Sequence, residues 1–171
     1  VTGFQATDVS DSIVNKNPME MSAQAITMIK VADFNGDGVL DIFFNDSGTQ
    51  LWDGSGAASY VGQNDHYYLS QADGTWLEST STHVTGPASF GGATGVRKGR
   101  GLKNFTHSMS VGDIDNDGDI DVVVTTLQSV GNNGQLLCYV NQGDGHMIVR
   151  RCADQHAWRA ELGDIDNDGD L

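Results

Sequence analysis

One nine-residue pattern occurs three times, and it restricts the possible folds more than any other feature of the chain. Its copies are Asp33-Phe34-Asn35-Gly36-Asp37-Gly38-Val39-Leu40-Asp41, Asp113-Ile114-Asp115-Asn116-Asp117-Gly118-Asp119-Ile120-Asp121 and Asp164-Ile165-Asp166-Asn167-Asp168-Gly169-Asp170-Leu171, the last without a ninth residue. Their first aspartates lie 80 and then 51 residues apart. Units recurring at such intervals bury their apolar faces by stacking on neighbours, so repetition sets the architecture. Apolar residues alternate through positions 29–32 and 109–112 before the first two loops. Continuous runs follow them, Ile42-Phe43-Phe44 and Val122-Val123-Val124, which predict strands buried on both faces. A second shared element matches Tyr67-Tyr68-Leu69-Ser70-Gln71-Ala72-Asp73-Gly74-Thr75-Trp76 to Cys138-Tyr139-Val140-Asn141-Gln142-Gly143-Asp144-Gly145-His146-Met147. Apolar flanks around Asp-Gly predict a hairpin in each.

Each unit therefore reads as four strands with the acidic loop between strands one and two, and the chain as all-β. The expected division is residues 1–28, the tail of a preceding unit and a connector; 29–82, a first unit; 83–104, an insertion; 105–152, a second unit; and 153–171, the start of a third. No long amphipathic helix is evident, although residues 13–28 have room for a helical turn. The insertion is glycine-rich and holds Arg97, Lys98, Arg100 and Lys103, four of the nine basic residues. A loop of this length is either functional or mobile.

The loops have the chemistry of a calcium site. Calcium takes six to eight oxygen ligands, and alternate side chains at positions one, three and five can curl round one ion while glycine at six permits the sharp turn. A carbonyl at seven and a carboxylate at nine complete the shell. The first site is then Asp33, Asn35, Asp37 and Asp41 with the Val39 carbonyl; the second is Asp113, Asp115, Asp117 and Asp121 with the Asp119 carbonyl. The third has Asp164, Asp166 and Asp168 with the Asp170 carbonyl but no ninth residue, so a weak or empty site is expected there. Magnesium prefers water-rich octahedral shells, and zinc or copper would want nitrogen or sulfur. A helix-flanked EF-hand loop needs an acidic ligand at position twelve, where Phe44 and Val124 stand within β-type runs. Without an ion, the clustered carboxylates repel one another.

These loops resemble those of FG-GAP and VCBS repeats, the calcium-bearing blades of integrin-α-like β-propellers, and Tyr139-Val140-Asn141-Gln142-Gly143-Asp144-Gly145 is similar to the hairpin that accompanies them. The resemblance implies a partial propeller of two to three four-stranded blades with calcium loops between strands one and two. A closed propeller takes about four to eight blades. The expectation is therefore a fragment of a larger propeller, or a chain that completes a ring or fibre with other subunits.

Charge and composition narrow the functions. Nine basic residues against 23 acidic ones, a net −14, argue against nucleic acid and anionic membranes. No apolar run reaches the roughly 18 residues of a membrane span. Cys138 and Cys152 are compatible with a disulfide or with two thiols. With the turn centred near Gly143 and Asp144, Cys138 is expected opposite Val149, so a bridge would need a bulge or a shifted register. Asn45-Asp46-Ser47 and Asn104-Phe105-Thr106 are glycosylation sequons expected to be exposed. Trp52, Trp76, Trp158, Tyr60, Tyr67, Tyr68 and Tyr139 suit core packing better than a sugar-stacking surface. The five histidines form no metal-type pair, residues 91–99 lack phosphate-loop spacing, and no nucleophile elbow is present.

The leading expectation is a non-catalytic extracellular or cell-surface module for adhesion, recognition or assembly, with calcium as cofactor and a protein or glycan outside the cell as partner. The alternatives are a lectin-like carbohydrate binder and the blade set of a secreted enzyme.

Overall fold

A computed structural model describes residues 13–14, 26–46, 49–52, 58–61, 63–86, 103–127, 135–153 and 157–171. In chain order the elements are β1 (Ile13–Val14), β2 (Ile26–Ala32), β3 (Asp41–Asp46), β4 (Thr49–Trp52), β5 (Ala58–Val61), β6 (Gln63–Asn64), β7 (His66–Ser70), β8 (Trp76–Glu78), the short helix α1 (Thr80–His83), β9 (Val84–Thr85), β10 (Lys103–Gly112), β11 (Asp121–Leu127), β12 (Gln135–Asn141) and β13 (Met147–Ala153). The chain is all-β, and α1 is the only helix among the described residues.

Two sheets carry the repeat. The first has the order β1-β8-β7-β3-β2 and the second β6-β10-β11-β12-β13-β9. Each contains a four-stranded antiparallel meander, β2-β3-β7-β8 or β10-β11-β12-β13. The runs at 42–44 and 122–124 both form interior strands; Val122, Val123 and Val124 are buried on both faces as expected, whereas in the first repeat only Phe43 is fully buried and Ile42 and Phe44, on the other face, are half-buried. Each meander is edged in the same way: β1 pairs parallel with β8 (Ile13 opposite Trp76), and β9 pairs parallel with β13 (Val84 opposite Met147). The segment leaving the first repeat thus becomes the edge of the second. The first strand of each meander, β2 or β10, also shifts register at an equivalent place, between Ile26 and Met28 and between Thr106 and Ser108.

The sheets pack face on face. Phe34, Phe43, Tyr67 and Leu69 of the first repeat join Met109, Val122, Val124, Leu137, Tyr139, Met147 and Val149 of the second in one buried cluster. Phe43 meets Tyr139 edge to face with ring centroids 5.1 Å apart. Each such side chain contributes roughly 1.5–3 kcal/mol on full burial. Polar bonds cross the same joint: Asp65 accepts from Thr106 Oγ1 (2.8 Å) and Tyr139 OH (2.7 Å). On its opposite face the second repeat packs Val123, Cys138 and Val140 against Ala160 and Leu162. The two joints share one contact. Met109 N–H donates to Met28 Sδ (3.2 Å), and at the matching position Ala160 N–H donates to Ser108 Oγ (3.0 Å).

Several expectations change. Residues 13–14 and 26–28, within the stretch with room for a helical turn, are strand, and 15–25 lie outside the described residues. The short hairpin β4–β5 and α1 had no sequence signal. Of the insertion, residues 84–85 form β9 and 103–104 begin β10; 87–102 lie outside the described residues. Cys138 is opposite Arg150, not Val149, because the hairpin loop spans residues 142–146 and is centred on Asp144. A further register shift between Leu136 and Leu137 leaves Cys152 without a cross-strand partner, and a disulfide joins it to Cys138 with Cα atoms 5.6 Å apart. Asn45 is buried within β3, its Oδ1 accepting the Met28 N–H (2.8 Å), so it is not an exposed glycosylation site. Asn104 lies on β10.

Candidate metal centre

The acidic loops connect β2 to β3 and β10 to β11, and the third follows the segment packed on the second repeat. Each is folded by its own aspartates. Asp33 accepts the N–H groups of Asp37 (3.1 Å) and Gly38 (2.8 Å), and Asp113 accepts those of Asp117 (3.1 Å) and Gly118 (2.8 Å). Asp164 accepts those of Asp168 (3.2 Å) and Gly169 (2.9 Å). The carboxylate at position five then takes the N–H at position seven: Val39 to Asp37, Asp119 to Asp117 and Asp170 to Asp168. Position six is left-handed in every copy, with φ of 85° at Gly38, 97° at Gly118 and 100° at Gly169, which explains its invariance within the chain. Position four is left-handed too and is filled by Gly36, Asn116 and Asn167, the residue types that tolerate this region.

This winding turns positions one, three and five toward one another. The carboxylates of Asp113, Asp115 and Asp117 bring oxygens within 4.8 Å of each other, as do those of Asp164, Asp166 and Asp168. That span is about twice a calcium–oxygen distance of about 2.3–2.6 Å. The donors are all oxygen, so the residues fit a hard divalent cation. The first loop has Asn35 at position three; its amide bonds Asp37 (Nδ2 to Oδ2, 3.1 Å) and leaves that loop with one carboxylate fewer. Asp115 is raised above the usual carboxylate range by desolvation first and then by the charges of Asp117 and Asp113. Asp164 and Asp168 are lowered, chiefly by the N–H groups of Gly169 and Asp170.

The ninth-position residues stand apart from these groups. Asp41 and Asp121 are buried at the starts of β3 and β11, and both oxygens of each accept backbone N–H groups. Asp41 takes Phe34 (3.0 Å) and Ser70 (2.7 Å); Asp121 takes Ile114 (2.9 Å) and Asn141 (2.7 Å). Each carboxylate therefore ties its own loop to the end of the hairpin's first strand. Burial raises both pKa values despite these donors, which act in the opposite direction. The Asp119 side chain lies against Gly143, where a Cβ would come within 2.8 Å of Oδ2.

Sequence reasoning missed Asn141. It is fully buried, and its Nδ2 donates to Phe34 O of the first repeat (2.6 Å) and to Ile120 O (3.1 Å). Its Oδ1 accepts from the N–H groups of Gln142, Gly143 and Gly145. Asn141 thus couples the first acidic loop, the second and the hairpin turn. The available signal was an asparagine ending an apolar strand just before Gly-Asp-Gly. Tyr67, Tyr68 and Tyr139 are core residues, while Trp158 is exposed beside His107, with ring centroids 5.2 Å apart.

A family model described as FG-GAP-like repeat matches residues 113–171, which contain the second and third loops and the hairpin between them. No curated protein matches the chain.

Proposed function

We propose that the chain is a calcium-binding, β-propeller-type repeat module that serves recognition or assembly outside the cell and carries no catalytic centre of its own. The observation that carries this reading is the convergence of Asp113, Asp115 and Asp117, repeated by Asp164, Asp166 and Asp168, in loops of one fold at one place in the repeat. Asp33, Asn35, Asp37 and Asp41, with the Val39 carbonyl, would hold the ion of the first loop. Asp121 and the Asp119 carbonyl would complete the second shell, and the Asp170 carbonyl would contribute to the third. A bound ion supplies positive charge where carboxylates crowd. The protein's own part is to wind each loop and, through Asp41 and Asp121, to tie it to the hairpin. The Cys138–Cys152 disulfide supports an oxidising compartment, and extracellular calcium is plentiful enough for weak sites of about 10⁻⁴–10⁻³ M.

Calcium at ten times its dissociation constant would stabilise by about 1.4 kcal/mol per site. Thermal melting with calcium and with chelator, alongside titration calorimetry, tests the reading. A calcium-dependent rise in midpoint is expected; identical melts and no binding heat would refute it. A second reading, carbohydrate binding, is favoured by one feature: exposed Trp158 borders a cavity of about 270 Å³ lined by Met28, His107, Ser108 and Arg159. Glycan-array binding that is lost in Trp158→Ala would support it.

A further inference from the structure

The three acidic loops differ at positions three and four. Asp115-Asn116 and Asp166-Asn167 fill them in the second and third loops, Asn35-Gly36 in the first. Glycine after asparagine leaves the side-chain amide chemically exposed, because no Cβ keeps the glycine nitrogen from the amide carbon. The folded loop favours that approach. Asn35 Oδ1 accepts the Asp37 N–H (3.2 Å), so the side chain folds back across the Gly36 peptide in an Asx-turn. Gly36 is exposed, and a Cβ built there would meet nothing within 4 Å. Phe34, Asp37, Gly38 and Val39 commit their N–H groups to carboxylates of the loop, whereas the Gly36 N–H has no acceptor among the described residues.

We propose that Asn35 is a site of spontaneous deamidation, which gives the first loop the carboxylate it lacks. The Gly36 nitrogen loses its proton and bonds to Asn35 Cγ. The Cγ–Nδ2 bond breaks, and Nδ2 leaves with that proton as ammonia, so a cyclic imide remains. One water then opens the imide on either side. Opening at Cγ puts aspartate in place of Asn35, and positions one, three and five become three carboxylates, as Asp113, Asp115 and Asp117 already are. Affinity for a calcium ion follows the count of charged ligands, so this product binds more tightly. Opening at the main-chain carbonyl gives isoaspartate. That product adds a methylene to the backbone next to Phe34, whose carbonyl takes Asn141 Nδ2 between the repeats. Asn116 and Asn167 escape, because the residues after them carry a Cβ and their N–H groups are held by Asp113 and Asp164.

A bound ion slows the reaction. Ring closure must swing Asn35 Cγ onto the Gly36 nitrogen, and ligands at positions one, three, five and seven clamp the chain on both sides of that bond. This protection rests on the calcium reading above; the chemistry at Asn35 does not.

The full chain, checked for a native melt, is incubated in mildly alkaline buffer with chelator or with calcium. Peptide mapping by mass spectrometry distinguishes aspartate from isoaspartate. It also separates Asn35 from Asn133-Gly134, which lies outside the described residues. In chelator Asn35 should convert to both products while Asn116 and Asn167 stay intact. Calcium at ten times its dissociation constant leaves about one loop in eleven ion-free, so conversion should slow about tenfold. Gly36→Asn copies Asn116 and Asn167, which hold φ of 64° and 60° at this position, so it should fold and preserve Asn35. Asn35→Asp, which has the first product's sequence, should bind calcium more tightly than wild type in calorimetry. An Asn35 that stays intact in chelator overturns the proposal, as does equally fast conversion in Gly36→Asn. Equal rates in the two buffers, with calcium binding seen by calorimetry, overturn the protection. Absent calcium binding overturns the reading beneath it and leaves the modification standing.

Discussion

Asp121 has two separable tasks, and one substitution distinguishes them. Its Oδ2 accepts the Ile114 N–H at 2.9 Å in a partly buried bond and its Oδ1 the Asn141 N–H at 2.7 Å in a buried one. Asp121→Asn keeps the shape but turns an amide NH₂ toward one of these donors. Stranding one buried N–H costs about 1–3 kcal/mol, partly offset because a buried charge disappears. A net loss of about 1–2 kcal/mol without calcium lowers the melting midpoint by roughly 2–8 °C in a chain of this size. If Asp121 also binds the ion, the variant forfeits a further ~1.4 kcal/mol at calcium ten times its dissociation constant. Differential scanning calorimetry of both proteins, in chelator and in calcium, reads the two losses independently. An unchanged midpoint in chelator would refute the clamp, and equal losses in the two buffers would remove Asp121 from the ligand set.

Three other outcomes follow from the geometry. Gly145→Ala places a Cβ 2.9 Å from Tyr67 OH and 3.1 Å from Asn35 Cβ at a φ of 80°, so urea denaturation should show a loss of about 1–3 kcal/mol. Reducing Cys138–Cys152, which encloses a separation of 14 residues, should lower stability by about 3 kcal/mol in the same assay. The His83 ring lies against His146, tilted by 32° with centroids 4.2 Å apart, and its pKa is lowered by desolvation first and by His146 next. The folded state therefore binds fewer protons at His83 than the unfolded state. This contribution is present in full above the unfolded pKa of about 6.5 and is lost as pH falls below it. His83→Gln should flatten the decline in melting midpoint between about pH 7 and 5.

The sequence by itself determined the period, the strand type and the loop chemistry, because each depends on residues close together in the chain. Aspartates at alternate positions with glycine at six specify an oxygen-lined turn, and apolar runs at 42–44 and 122–124 specify interior strands, wherever the units end up. Only the tertiary structure decided which faces meet and who completes each hydrogen bond. Asn141 bonds Phe34, 107 residues away, and Tyr139 bonds Asp65, 74 residues away. No local pattern encodes partners at that range. The Cys138–Cys152 bridge was visible only as a register mismatch, and the shift between Leu136 and Leu137 that resolves it arises from how β12 and β13 pair. Asn45 carries a surface motif in the sequence but is interior in the fold, where its carbonyl satisfies the Met28 N–H at the irregularity in β2. Short-range chemistry is written along the chain, whereas burial and partnership come into being only when separate repeats exclude water between them.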